Sequence, residues 1–323
     1  MTFHGGPDGG PEPRYDFSTN ANALGPNPVL LSALRLADLA RYPEPAYAEL
    51  RAALAAGHGV GAERVVVGAG ASELIHRLVR LRRGPVLTLE PTFGEYARAA
   101  RAAGVLHLAA RSSGEFLNLL EGAAVAFLAQ PNSPSGELHG RAFVREAALR
   151  AERAGAWLVQ DLAYAPLSER PVPVAARAFR LFAPNKAHGL TGVRAGYLVA
   201  PAAEPAALLA EAAPSWVIGA AEVAFLRAQA GAEARTWLRG TLPTLFAWRR
   251  RLAGLLREYG YEVQEGAANF VMARLGEDAA AFLRARGLRV RPLFDKGLPD
   301  WARLSAQPPA ALAALAAALE ERG

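Results

Sequence analysis

The chain has 323 residues, 52% of them hydrophobic, and a net charge of +6, which is enough length for one large α/β domain and a smaller one. It contains no cysteine, which excludes disulfides, thiolate catalysis and cysteine-ligated zinc. Its arginines are scattered at helical spacing and do not run together among aromatics, so nucleic acid is not an expected partner.

The opening MTFHGGPDGGPEPRYDF has neither the basic start nor the apolar stretch of a secretory leader. No apolar run reaches the roughly 18–20 residues needed to span a bilayer, so no membrane partner is expected and a cytoplasmic location is. Residues 1–25, rich in Gly, Pro and Asn, read as an extended arm. NPVLLSALRLADLARY (27–42) reads as a short helix, and LRAALAAGHG (50–59) as a helix closed by glycines.

Short apolar runs then alternate with helical patterns. Strands are expected at 64–68, 85–89, 105–109, 124–130, 156–161, 179–183 and 195–200. Helices are expected at 71–81, after Phe93 and at 140–155, with apolar residues at helical spacing. The strands are continuously apolar, which predicts a mostly parallel, seven-stranded central sheet covered by helices on both faces. From about 215 the pattern changes to a long helical stretch reaching Tyr259. Strands near 261–265, 269–275 and 288–293 follow, with helices near 277–286 and after Pro308. The expected division is an arm (1–25), a large domain (26–215) and a smaller α+β domain (216–323).

Five features follow five successive strands. VVVGAGASELI (65–75) is a strand, a glycine turn and a helix start. The amides of Gly70, Ala71 and Ser72 would make an anion site there. Glu73 stands where a dinucleotide fingerprint needs its third glycine, and no lysine follows as in a Walker loop. Phe93, in EPTFGEY, can stack on a planar ring or simply cover the sheet edge. Asn132 and Ser133, in AQPNSPSGEL, form a polar turn that can hydrogen-bond a ligand. Asp161 ends an apolar strand, with Tyr164 three residues on. It can cap a helix, or it can face a protonated ring nitrogen as a partly desolvated carboxylate.

Only two of the 36 basic residues are lysines. Lys296, in PLFDKGLPD, reads as a loop lysine. Lys186 follows a strand and precedes Arg194 by eight residues, in FAPNKAHGLTGVRAGYL. A desolvated lysine can react with carbonyls, which arginine cannot. Ligands of such sheets sit outside the strands' carboxyl ends. An anion turn, a stacking ring, a polar turn, a carboxylate and a lysine converging there would hold a phosphorylated pyridine aldehyde.

The ordered set GAGAS, PTF, PNSPSG, D-x-x-Y and K-x7-R resembles the fold-type I pyridoxal-phosphate enzymes of the aspartate-aminotransferase superfamily over almost the whole chain. The resemblance implies pyridoxal 5′-phosphate as cofactor. By it, Lys186 takes the cofactor aldehyde, Asp161 pairs with the pyridine nitrogen and Tyr164 donates to the ring's phenolate oxygen. Phe93 stacks on the ring, with Asn132 or Ser133 nearby, and Gly70, Ala71, Ser72 and Arg194 hold the phosphate. Tyr42, in RYPEPAY, matches a tyrosine that reaches a neighbouring subunit's phosphate, which implies a homodimer. The chain departs from the usual pattern at Ser133, where relatives carry Asn, and at Ala183, where they carry a hydroxyl.

The arm, with HGG and DFSTNANALGPNP, is similar to threonine-phosphate decarboxylases of cobalamin biosynthesis. That similarity implies decarboxylation of L-threonine O-3-phosphate, with His4, Gly5, Asn20, Ser133, Arg291 and Arg303 touching substrate and Arg303 gripping its carboxylate. The alternative is a histidinol-phosphate aminotransferase, which shares the core and the later segments. Either way the substrate is a small phosphorylated amino acid or amine.

Overall fold

A computed structural model describes residues 5–322. The strands in chain order are β1 (Tyr15–Asp16), β2 (Val65–Gly68), β3 (Val86–Leu89), β4 (His107–Ala110), β5 (Val125–Ala129), β6 (Trp157–Asp161), β7 (Phe179–Phe182), β8 (Gly196–Val199), β9 (Val263–Glu265), β10 (Phe270–Arg274), β11 (Leu288–Arg289), β12 (Arg291–Leu293) and β13 (Leu298–Ser305). The helices are α1 (Pro28–Arg35), α2 (Ala48–His58), α3 (Gly70–Arg82), α4 (Glu95–Ala102), α5 (Ser113–Leu119), α6 (Arg141–Arg153), α7 (Ala203–Glu211), α8 (Ala220–Gln229), α9 (Ala232–Glu258), α10 (Ala279–Ala285) and α11 (Pro309–Glu320).

The seven-stranded sheet has the order β2-β8-β7-β6-β5-β3-β4. Its strands pair in parallel except β8, which runs antiparallel to both β2 and β7. Side chains alternate across a strand, so a continuously apolar strand must be buried on both sides. β5 shows this directly. Val125 and Phe127 pack with Leu74, Leu78 and Tyr96 from α3 and α4. Ala126 and Leu128 pack on the other face with Phe116, Val144 and Ala147 from α5 and α6.

A four-stranded antiparallel sheet, β12-β13-β10-β9, follows. Val271, Ala273 and Leu304 bury one of its faces against Leu252 and Leu256 of α9 and Leu312 and Leu315 of α11. The arm joins this unit. β1 pairs in parallel with β11, Tyr15 opposite Leu288, and Phe17 is fully buried in the same core.

Two expected helices differ from what forms. The helix expected over 27–42 stops at Arg35, and Leu36, Leu39 and Tyr42 are exposed. Their helical spacing mimics a buried stripe, yet this chain lays no core against it. The stretch from 215 to Tyr259 is two helices, α8 and α9, separated at Gly231, whose backbone is extended. Among the described residues no helix is long and apolar enough to cross a membrane.

Arg77 locks α3 to the sheet. It is buried, with only 1% of its surface exposed, and its guanidinium donates to Glu73, to the Leu209 carbonyl of α7 (3.1 Å) and to the Val67 carbonyl of β2 (3.3 Å). Removing one member of such a buried network strands its partners. Arg77→Leu is therefore expected to lower the unfolding free energy by about 3–5 kcal/mol in urea denaturation. A loss under about 1 kcal/mol would show that the carbonyls find other donors.

Candidate active site

The carboxyl ends of the parallel strands open into a cavity of about 420 Å³, closed on the other side by β12, β13 and the arm. Its wall includes Gly70, Ala71 and Ser72 after β2, Phe93 after β3 and Ser133 after β5. It also includes Asp161 and Tyr164 at the end of β6, and Lys186 and Arg194 between β7 and β8. From the opposite side come Gly5, Asn20, Arg291 and Arg303. His4 lies outside the described residues.

Gly70 opens α3 with φ +83°, a left-handed conformation that glycine adopts at little cost. A Cβ at this position would stand 3.0 Å from Arg194 Nη2, so the guanidinium lies directly against the helix start. The first turn of a helix has amides without intrahelical acceptors. Together they form a cradle for an anion. Ala183 lines the same cavity without a hydroxyl. The neighbouring Asn185 turns its amide into the following loop, toward the Thr191 and Val193 carbonyls (both 3.4 Å).

Asp161 is the buried centre of the site. Its Oδ2 accepts from the Tyr96 hydroxyl at 2.7 Å and its Oδ1 from the Ala163 amide at 3.0 Å. Burial raises the carboxyl's pKa, while those two donors and the Lys186 charge pull it down. Tyr96 is itself fixed by stacking on Phe127, with centroids 4.5 Å apart and planes 7° apart, and it meets Phe93 edge-on at 5.6 Å. Burial, followed by the Asp161 charge, pushes its phenol well above the usual range, so the hydroxyl stays a donor.

Lys186 Nζ lies 5.3 Å from the Tyr164 ring centroid. The Tyr164 hydroxyl accepts from Asn20 Nδ2 at 3.0 Å, while Asn20 Oδ1 is buried with no hydrogen-bond partner among the described residues. Arg303 donates to Ser133 Oγ and to the Ser18 carbonyl, both at 2.7 Å. Gly5 packs on that same carbonyl, where a Cβ would come within 2.0 Å of the oxygen. Arg291 is held by Asp295 through two bonds of 2.9 and 2.8 Å.

Asn132 stands outside this cavity, and so does Tyr42, whose expected place is at a neighbouring subunit's phosphate. Asn132 donates to the Pro91 carbonyl (2.9 Å) and Ser135 Oγ (3.0 Å) and accepts from Thr92 (2.7 Å). Its amide braces two loops and faces a second, smaller cavity. Tyr42 is 79% exposed and stacks on Trp216 at 4.5 Å, outside the cavity. Conversely, Tyr96 and Lys296 line the cavity and were not picked out from the sequence. Tyr96 had a faint signal, three residues beyond Phe93 at a helix start. Lys296 had the same rarity that singled out Lys186.

These groups fit pyridoxal phosphate. The cradle at Gly70 and Arg194 suits its phosphate, the buried carboxylate suits a protonated ring nitrogen, and Lys186 suits an aldehyde. A family model described as "Aminotransferase class I and II" matches residues 14–319. A curated histidinol-phosphate aminotransferase of Ruegeria sp. (strain TM1040) is 31% identical, covering 94% of this chain and 90% of its own. The solved histidinol-phosphate aminotransferase of Sinorhizobium meliloti, in complex with pyridoxal-5′-phosphate, superposes with a TM-score of 0.86. It is 24% identical over 96% of this chain and 91% of its own. An L-threonine-O-3-phosphate decarboxylase from Porphyromonas gingivalis gives a TM-score of 0.79 at 21% identity, over 91% of this chain and 93% of its own.

The expectation of threonine-phosphate decarboxylation is thereby corrected. The decarboxylase shares the fold, whereas the curated relative that matches at 31% over nearly the full length is an aminotransferase. The physical reason is that the HGG arm is a poor guide to reaction type. Gly5 serves through close backbone packing on Ser18, a use that carries no information about which bond of the substrate breaks. The chain belongs to the class I and II aminotransferase family, fold-type I enzymes whose cofactor is pyridoxal 5′-phosphate.

Proposed function

We propose that the protein is an aminotransferase that takes the amino group of histidinol phosphate and delivers it to a 2-oxo acid. One observation carries the reading. Relatives of that name match along the whole chain, and the cavity joins the lysine and carboxylate of the parallel sheet to arginines of the antiparallel one. The proposed division follows the same lines, with residues 26–215 and 216–323 contributing opposite walls and residues 1–25 running between them.

Bound pyridoxal phosphate would supply an electron sink for the pair released when a bond at the substrate's Cα breaks. Everything else falls to the chain. Lys186 Nζ would take the Cα proton and hand it to the cofactor's aldehyde carbon within the same half-reaction, and would run both transfers in reverse when the 2-oxo acid is aminated. Asp161 would pair with the protonated ring nitrogen, and its own geometry is held by Tyr96 and the Ala163 amide. The Tyr164 hydroxyl, which accepts from Asn20 and so keeps its own hydrogen to give, would donate to the ring oxygen. Phe93 would cover one ring face, while the amides of Gly70, Ala71 and Ser72 with Arg194 would hold the phosphate. Arg303, already fixed by Ser133 and Ser18, grips the carboxylate of the 2-oxo acid as a planar fork. Two copies of the chain would form a dimer through the face bearing Leu36, Leu39, Tyr42 and Trp216, with Tyr42 reaching the neighbour's phosphate.

Purified holoenzyme given histidinol phosphate and 2-oxoglutarate is expected to form glutamate. Lys186→Ala should lower that rate by about 10²–10⁴-fold and abolish the cofactor's visible absorbance band. Glutamate formation at an undiminished rate in Lys186→Ala, or none in the wild type, would sink the reading.

Tyr96→Phe removes one donor from a buried carboxylate. Cofactor affinity, read by absorbance titration of the apoenzyme, should weaken about 10- to 100-fold with the fold intact. Tyr42→Ala should weaken cofactor retention in the dimer, measured by dialysis alongside sedimentation. If retention is unchanged while the dimer persists, Tyr42 plays no part at the neighbour's phosphate.

A further inference from the structure

Five cationic side chains among the described residues line the cavity: Lys186, Arg194, Arg291, Lys296 and Arg303. Arg291 is committed within the protein, its Nη2 donating to both carboxylate oxygens of Asp295. Arg303, fixed by the uncharged Ser133 hydroxyl and Ser18 carbonyl, has its task at the carboxylate of the 2-oxo acid. Lys186 and Arg194 have their tasks at the aldehyde and phosphate of the cofactor. Lys296 remains.

Lys296 sits in the short 3-10 turn Phe294–Lys296 between β12 and β13, half-buried. Its ammonium makes no hydrogen bond or ion pair among the described residues. The two carboxylates whose fields reach it, Glu90 and Asp295, are both engaged elsewhere. Glu90 accepts from Thr88 Oγ1 (2.9 Å) and the Thr92 amide (2.9 Å), and Asp295 from Arg291. Burial lowers the ammonium's pKa, and the charges of Arg291 and Arg101 add to that effect. A charge removed from water without a partner is costly. A cavity wall that keeps one there suits an anion that arrives with the ligand.

We infer that Lys296 is a specificity-determining residue that binds the phosphate monoester of the amino donor. The inference rests on the proposed reading for the identity of that donor, but the anion site itself does not. Lys296 stands on the turn after β12, whereas Arg194 and the α3 amides belong to the parallel sheet, so the two phosphates of the reacting pair would have separate cations. An ammonium is a compact point charge that recognises phosphate without demanding the planar geometry of a carboxylate.

The test uses holoenzyme, in which the cofactor already fills its own phosphate site, with wild type, Lys296→Met, Lys296→Gln and Lys296→Arg. Inorganic phosphate binding is measured by calorimetry at low ionic strength. Binding of histidinol phosphate and of histidinol is measured by the absorbance change of the bound cofactor. Both neutral variants should bind inorganic phosphate and histidinol phosphate about ten- to a hundredfold more weakly and leave histidinol unchanged. Lys296→Arg should recover part of the loss. Thermal midpoint and the cofactor band confirm that each variant is folded.

If wild type binds no inorganic phosphate, or if the neutral variants bind it as wild type does, the inference is overturned. An equal loss for histidinol and histidinol phosphate also overturns it, since it marks a structural role. If wild type fails to turn over histidinol phosphate while the neutral variants still lose phosphate binding, the donor assignment falls and the anion site stands.

Discussion

A carboxylate taken out of water is the constraint around which this site is arranged. Asp161 ends a strand buried on both faces, so its charge must be met by groups the fold supplies. One donor is local, the Ala163 amide two residues on. The other comes from α4, which follows β3, two positions away in the sheet. Tyr96 reaches Asp161 because its ring stacks flat on Phe127 of the intervening strand. Sheet order, aromatic packing and the carboxylate's ionisation are thus one arrangement. A shift of α4 would remove a donor from the carboxylate proposed to pair with the cofactor ring.

The antiparallel unit meets the same problem with opposite charge. Arg303 is buried, and its guanidinium is fixed by a hydroxyl from the β5 loop and a carbonyl of the arm. Neither partner carries a charge, so the cation keeps its capacity to bind an anion. Arg291 is neutralised by Asp295 and serves better as a brace for the turn that carries Lys296. The wall opposite the parallel sheet therefore offers a planar guanidinium and a compact ammonium, cations suited to a carboxylate and a phosphate respectively.

The parallel sheet was legible because each of its strands is an apolar run followed by a helical pattern, and that alternation admits few folds. Gly70, Phe93, Ser133, Asp161 and Lys186 were legible as a group because ligands gather at strand carboxyl ends. What escaped depended on direction in space. Asn132 sits in the right turn, but its amide is consumed by Pro91, Ser135 and Thr92, which no spacing reveals. Tyr96 needed the strand order to bring it to Asp161. Lys296 looked like any loop residue until β12 and β13 folded back over the cavity. Reaction type was the hardest to read, because the same lysine and carboxylate serve either chemistry and the difference lies in how the substrate is turned.

The arm carries one more implication. Asp16 is paired in register with Arg289 of the antiparallel unit, and six residues later Asn22 is bonded to the parallel side. There its amide donates to the Lys186 carbonyl at 2.8 Å, and its side chain donates to the Ala187 carbonyl and Thr241 Oγ1. Six residues reach at most about 20 Å when fully stretched. The segment is therefore a leash between the lysine loop and the arginine wall. While those bonds hold, the two walls cannot part by more than its length. Lys186 and the arginines of the opposite wall are thereby kept within reach of one another.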